Sequence, residues 1–192
     1  MNIVFMGGRQ VGFIGLLALL SVEYGVEVVV CNGRDTGALR ELANRFGIPV
    51  AETIKDPLVA EVLKGEGLLV SVHGSEIVPA SLLGYWGGIN IHPFPYKGAD
   101  PIGKLLVSGG TTVVLTAHRI TDEVDGGDVL VEREIDITGL ETRVEVYNKL
   151  YPYYAMVLLE AIEVNESFLA ETEMSNQCCE NEIEEIESKR LE

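Results

Sequence analysis

Gly88-Ile89-Asn90-Ile91-His92-Pro93, with Thr121-Asp122-Glu123-Val124-Asp125-Gly126-Gly127 some thirty residues further on, reads as a strand end and a loop that meet at one edge of a sheet. Side chains alternate between faces along a strand, so Asn90 and His92 project from the same side. Pro93 is expected to stop the ladder, leaving both at the strand's carboxyl end, outside which open α/β sheets bind ligands. The loop adds the carboxylate of Asp125, and its paired glycines let backbone come close to a ligand. Val124 is expected to press Asp125 inward, where a carboxylate beside an imidazole holds the ring's tautomer and raises its basicity. An amide, an imidazole and a carboxylate together suit acyl transfer onto an amine. Taken singly, they read more plainly as a turn-fixing Asn, a backbone-bonded His and a solvated acidic turn.

The first half of the chain alternates strand and helix signals. Ile3–Met6 is an apolar strand that breaks at Gly7-Gly8 into a helix-length stretch from Gln10 to Tyr24. Val26–Cys31 is a β-branched strand, and Asp35-Thr36 is placed to cap a helix through Phe46, with Gly47 at its end. Leu68–Val72 and Gly88–Ile91 are further strands. From Thr111 the pattern changes to two strands, Thr111–His118 and Asp128–Ile135. A closing helix then runs from Glu141 to Glu163, with Val144, Tyr147, Leu150 and Tyr151 at helical spacing and a kink expected at Pro152. The rhythm predicts an α/β fold: a single Rossmann-like domain with a mostly parallel twisted sheet flanked by helices. The domain is expected over 1–165, followed by an acidic C-terminal helix or tail over 166–192. Its last part, Glu171–Glu192, holds eight glutamates against Lys189 and Arg190.

At 192 residues and 47% hydrophobic content the chain can bury one sizeable core. The formal charge of −16 repels phosphate backbones, so a nucleic-acid partner is disfavoured. The apolar run Val11–Leu20 is too short to span a bilayer, nothing at the N-terminus resembles a signal peptide, and no membrane partner is expected. Cys31 and the vicinal Cys178-Cys179 make neither a disulfide framework nor a metal-ligand spacing, which fits a reducing cytoplasm. Gly7, Gly8, Gly12 and Gly15 do not form G-x-G-x-x-G, and the second strand ends in Cys31-Asn32 where a dinucleotide site needs an acid. Those glycines are better read as close strand–helix packing. No G-K-[ST] follows the turn, so a P-loop is excluded. Tyr151, Tyr153 and Tyr154 are candidates for a homodimer contact or, more simply, for the core.

The stretch Ile89–Leu130 resembles the folate-dependent formyltransferases. It carries Asn90-Ile91-His92-Pro93, then Tyr96-Lys97-Gly98-Ala99-Asp100-Pro101-Ile102, then Val124-Asp125-Gly126-Gly127-Asp128. Supporting likeness lies in Gly12-Phe13-Ile14-Gly15 and Tyr151-Pro152, and the resemblance covers about residues 1–165. It implies transfer of a formyl group from 10-formyltetrahydrofolate to a primary amine without a metal, with Asn90, His92 and Asp125 catalytic. It also implies a pterin slot between Ile77-Val78-Pro79 and Thr121-Asp122-Glu123-Val124, acceptor contacts at Gly8-Arg9-Gln10, and support from His118.

The chain departs from the family pattern in two places. The turn between Pro93 and Lys97 is shorter, and Tyr147-Asn148 replaces the acid that the glycinamide ribonucleotide branch carries before its Tyr-Pro. The opening helix is more similar to the amino-sugar and methionyl-tRNA branches. The latter carry a further RNA-binding barrel that this sequence does not extend to, so a small-molecule amine, such as an amino sugar or a glycinamide ribonucleotide-like acceptor, is the expected acceptor. The alternatives are a 10-formyltetrahydrofolate hydrolase, whose known members carry an N-terminal regulatory domain, a methionyl-tRNA formyltransferase-like protein, and a lapsed folate-binding module.

Overall fold

A computed structural model describes residues 1–33 and 35–190, with side chains as far as Thr172. β1 (Asn2–Gly7) leads into α1 (Arg9–Ser21), and β2 (Val26–Cys31) into α2 (Gly37–Arg45). Thr36 stands at the cap position of α2 without a side-chain bond to the helix. Between Phe46 and Leu68 lie two elements the pattern did not mark, the two-residue β3 (Val50–Ala51) and α3 (Pro57–Lys64). The start of α3 is set locally: Asp56 accepts the Leu58 N–H at 2.9 Å and Pro57 takes the first turn, where no N–H is needed. β4 (Gly67–Val72), β5 (Gly88–Phe94), α4 (Pro101–Val107), β6 (Thr112–Arg119), β7 (Val129–Asp136) and α5 (Arg143–Arg190) complete the chain.

The seven strands form one mixed sheet in the order β3-β2-β1-β4-β5-β6-β7. Pairing is parallel from β3 to β5 and antiparallel from β5 to β7. The chain moves outward from β1 to β2 and β3, then returns to place β4 on the other side of β1. That reversal opens a crevice at the carboxyl ends of β1 and β4. Alternation along β1 sorts the core: Ile3 and Phe5 face α1, α2 and α5, whereas Val4 and Met6 face Val59 and Leu63 of α3. All six residues of β4 are buried, as a central parallel strand covered on both faces requires. At Gly12 a Cβ would come to 3.0 Å of the Gly7 carbonyl carbon, which explains the glycines after β1 as close packing.

Two expectations need correction. β5 does not stop at Pro93 but continues to Phe94, because the ladder there is with β6 alone (Pro93 opposite Leu115) and β4 has already ended. On α5 the buried stripe is Val146, Leu150, Tyr154, Val157, Leu158, Ala161 and Ile162, whereas Val144 is 68% exposed. Two residues turn a helix by about 200°, so Val144 and Val146 face opposite ways. α5 runs on through Pro152 and across residues 165 and 166 without a break. Arg119 donates to Asn165 Oδ1 at 2.8 Å and Asn165 donates to the Trp86 carbonyl, which ties that part of α5 to the sheet. Cys178, Cys179 and most of the acidic run lie beyond the described side chains.

Tyr154 is core, at 1% exposure, and its hydroxyl has no hydrogen-bond partner among the described residues. An unpaired buried hydroxyl costs roughly 1–3 kcal/mol. Tyr154→Phe is therefore expected to unfold at the same or a higher urea concentration than the parent, by about 1 kcal/mol. A fall in the midpoint would show that the hydroxyl is satisfied.

Candidate active site

Antiparallel pairing of β5 with β6 puts Asn90 directly opposite His118 and His92 opposite Thr116. The Thr121–Gly127 loop then folds back over the same edge. Asp125 turns inward through a left-handed backbone, φ 50°, a conformation that Asp tolerates better than most residues. This turn, and not Val124, buries the carboxylate: Val124 is itself 47% exposed. At Gly127 a Cβ would run into the Arg119 carbonyl oxygen, so the second glycine lets the loop close on β6.

The three expected residues meet. The Asn90 amide donates to Asp125 Oδ1 at 3.2 Å, and the same nitrogen lies 3.3 Å from His118 Nε2. His118 Nδ1 is 3.0 Å from the Arg119 carbonyl, which can only accept, so in the neutral ring Nε2 is free to accept from Asn90. His92 Nε2 stands 3.5 Å from Asp125 Oδ2 and donates to the Gly98 carbonyl at 3.2 Å. Gly98 also gives its N–H to Asp125 Oδ2 at 2.8 Å. Both amide hydrogens of Asn90 are thus engaged, and one glycine of the Lys97-Gly98 turn contacts both the imidazole and the carboxylate. His92 Nδ1 is buried with no partner among the described residues. Phe94 stands edge-on to both imidazoles, at 5.3 Å from His92 and 6.3 Å from His118.

Electrostatics separate the two titrating partners. Burial acts to raise the Asp125 carboxyl, but the nearby His118, the hydrogen bond from the Gly98 N–H and the proximity of His92 outweigh it and bring it down to about 2. Burial lowers His92, against the opposing pull of Asp125 and the Gly98 carbonyl. Near neutral pH the site therefore holds an ionised carboxylate and a neutral imidazole.

These groups open onto a cavity of about 1000 Å³. Of the residues named for the slot, Ile77, Val78, Thr121, Glu123 and Val124 line it, together with Ile120. Pro79 lines a smaller neighbouring pocket, and Asp122 instead accepts the Ala80 N–H at 3.0 Å, bracing the two walls of the slot against each other. Arg9 reaches the cavity; Gly8 caps α1, and neither it nor Gln10 is on the wall. His73 and Tyr147 also line it. The pattern did not mark His73 as a site residue, although its position, just past the carboxyl end of β4, was the available signal.

Because the Asp125 carboxyl is depressed in the folded chain, its stabilising contribution is complete above about pH 4, the unfolded value, and is lost as pH falls through about 2. Urea titrations of the parent and of Asp125→Asn should differ most above pH 4 and converge toward pH 2. A gap independent of pH would mean that the carboxylate's charge contributes nothing to the fold.

The formyl transferase family model matches residues 1–162. The methionyl-tRNA formyltransferase of Syntrophus aciditrophicus (strain SB) is 30% identical over 187 residues, covering 88% of this chain and 60% of that protein. The methionyl-tRNA formyltransferase of Geotalea uraniireducens (strain Rf4) is 30% identical over 182 residues, covering 85% of this chain and 58% of its own length. The chain thus spans about three-fifths of the curated relatives it matches. Among solved structures, WlaRD, a sugar 3N-formyl transferase crystallised with dTDP and 5-N-formyl-THF, superposes with a TM-score of 0.73 at 17% identity, covering 87% of this chain and 64% of that one. Phosphoribosylglycinamide formyltransferase from Campylobacter jejuni gives 0.66 at 20% identity, with 85% and 97% covered. With the family model matched over nearly all of the sheet and its flanking helices, the chain belongs to the formyl transferase family.

Proposed function

We propose that the chain transfers a formyl group from 10-formyltetrahydrofolate to the primary amine of a small molecule, in the cytoplasm. The observation that carries this reading is the meeting of Asn90, His92 and Asp125 within hydrogen-bond reach at one cavity. A cavity of about 1000 Å³ suits a folate-sized ligand. Its apolar lining, with Val78 buried and Ile77 exposed, fits a flat pteridine.

In the reaction the amine nitrogen bonds to the formyl carbon, the bond from that carbon to the folate nitrogen breaks, and a proton passes from amine to leaving nitrogen. His92 already donates from Nε2 to a carbonyl oxygen, that of Gly98. In the reacting complex the formyl oxygen takes that donor, so the Lys97-Gly98 turn yields as substrate enters. The negative charge that develops on the oxygen is stabilised there, and by Asn90 once it releases one of its present acceptors. Asp125, ionised and held by Asn90, receives the amine's proton directly or through a water and returns it to the leaving nitrogen. His118 keeps Asn90 and Asp125 aligned.

A second reading, methionyl-tRNA as acceptor, is favoured by the names of the relatives at 30% identity. One assay covers both. Protein is mixed with 10-formyltetrahydrofolate and either small amines or charged initiator tRNA, and tetrahydrofolate release is followed optically. Release that depends on a small amine supports the first reading and release that depends on tRNA the second; release with neither indicates hydrolysis, and binding without turnover a lapsed module. Asp125→Asn should lower turnover by roughly 10²–10⁴-fold, the usual loss for a general acid–base group, while the folate still binds. Unchanged turnover would remove Asp125 from the mechanism.

A further inference from the structure

Arg119 is the last residue of β6, where strand alternation turns it away from the cavity while its neighbour His118 faces Asn90 and Asp125. Its side chain crosses to the helix layer. Nη1 donates to Asn165 Oδ1 at 2.8 Å, and the guanidinium lies 4.6 Å over the ring of Phe168, on the same face of α5. Asn165 is fully buried and gives its own amide to the Trp86 carbonyl at 3.2 Å, in the turn that leads into β5. Arg119 Nη2 is buried with no hydrogen-bond partner among the described residues. Removing the guanidinium would leave the Asn165 carbonyl unpaired in the same interior.

The main chain of the same residue holds the site. Its N–H donates to the Asp128 carbonyl at 2.9 Å, which closes the base of the loop that carries Asp125. Its carbonyl accepts from His118 Nδ1 at 3.0 Å, and Gly127 packs against that oxygen. The β6–β7 register slips between Ala117 and His118, and an irregularity of this kind re-aims the side chains beside it. The ladder alone therefore leaves this strand end loosely directed. The anchor that fixes it comes from the helix side, through the Arg119 side chain.

We propose that Arg119 is a positioning residue: held by α5, it sets the backbone that fixes the His118 tautomer and closes the loop of Asp125. The proposal goes beyond formyl transfer and rests on that reading only for its effect on turnover. A neutral imidazole has one N–H. With that hydrogen on Nδ1, Nε2 is left to accept from Asn90, 3.3 Å away, and Asn90 keeps its other hydrogen for Asp125. Once the Arg119 carbonyl swings away, the hydrogen is free to move to Nε2. There it opposes the Asn90 amide and competes with it for Asp125 Oδ1, 3.6 Å off. Because α5 is one helix from Arg143 to Arg190, a displacement of its outer part reaches Asn165 and Phe168 and, through Arg119, the site.

The test reads His118 directly. Long-range proton–nitrogen correlation spectra of the nitrogen-labelled full chain, taken at alkaline pH where imidazoles are neutral, distinguish the two ring forms. In the parent, His118 should carry its hydrogen on Nδ1. Arg119→Met keeps the length of the side chain and removes its donors, and the His118 signals should move to a mixture of the two forms. Asn165→Leu, on α5 and outside the cavity wall, should do the same, and the double variant should add little to either alone. Arg119→Lys, which keeps the charge and one donor, should stay nearer the parent. In the tetrahydrofolate-release assay, kcat should fall by roughly tenfold or more in Arg119→Met and in Asn165→Leu, with KM for 10-formyltetrahydrofolate within about twofold of the parent. Should Arg119→Met not fold, Phe168→Leu, which removes only the ring beneath the guanidinium, reads the same link. A parent with the Nδ1 form but no turnover counts against the proposed function and leaves the Arg119 link standing. The proposal is overturned by a parent with the Nε2 form or by a His118 spectrum unchanged in Arg119→Met. A spectrum changed there but untouched by Asn165→Leu and Phe168→Leu overturns it equally, whatever the urea midpoints do.

Discussion

A single amide nitrogen joins three parts of this chain. Asn90, on β5, reaches Asp125 on the returning loop and His118 on the antiparallel neighbour. Without the switch from parallel to antiparallel pairing at β5, His118 would not stand opposite Asn90 and the loop would not return to the same edge. The Gly98 backbone completes the arrangement with one contact to the imidazole and one to the carboxylate. Sheet topology is in this sense what creates the site.

The same arrangement decides the ionisation states. Two donors, the Asn90 amide and the Gly98 N–H, and two nearby imidazoles make the charged form of Asp125 cheap despite burial, and the burial of His92 makes its charged form expensive. Environment, not residue type, assigns a negative and a neutral group to neighbouring positions. Bracing comes from farther out, since Asp122 holds the Ala80 backbone and Glu123 holds Lys97, two fastenings just before Asp125 in the loop.

Much of this was legible in the sequence. β-branched runs marked β2 and β4 within a residue of their observed ends, and the Asn–His alternation located the cavity edge. What escaped has physical reasons. β3 is two residues long and too short to show a period. α3 depends on an Asp56 cap and Pro57, which read equally well as a turn. The buried face of α5 was drawn around Val144 because hydrophobicity alone does not fix which side of a helix meets the sheet. His73 went unmarked because it lies far from Tyr147 in the chain and meets it only through the topology. The left-handed backbone of Asp125 could not be inferred from composition, whereas the glycine beside it could be read as room for a close approach.

That left-handed residue has an evolutionary consequence. Few side chains sit comfortably there, and asparagine is the nearest in both shape and backbone preference. The same isosteric exchange would remove the negative charge and turn one of the two oxygens that accept from Asn90 and Gly98 into a donor. Position 125 is thus held twice over, by a backbone that few residues adopt and by two donors that only a carboxylate can accept on both oxygens.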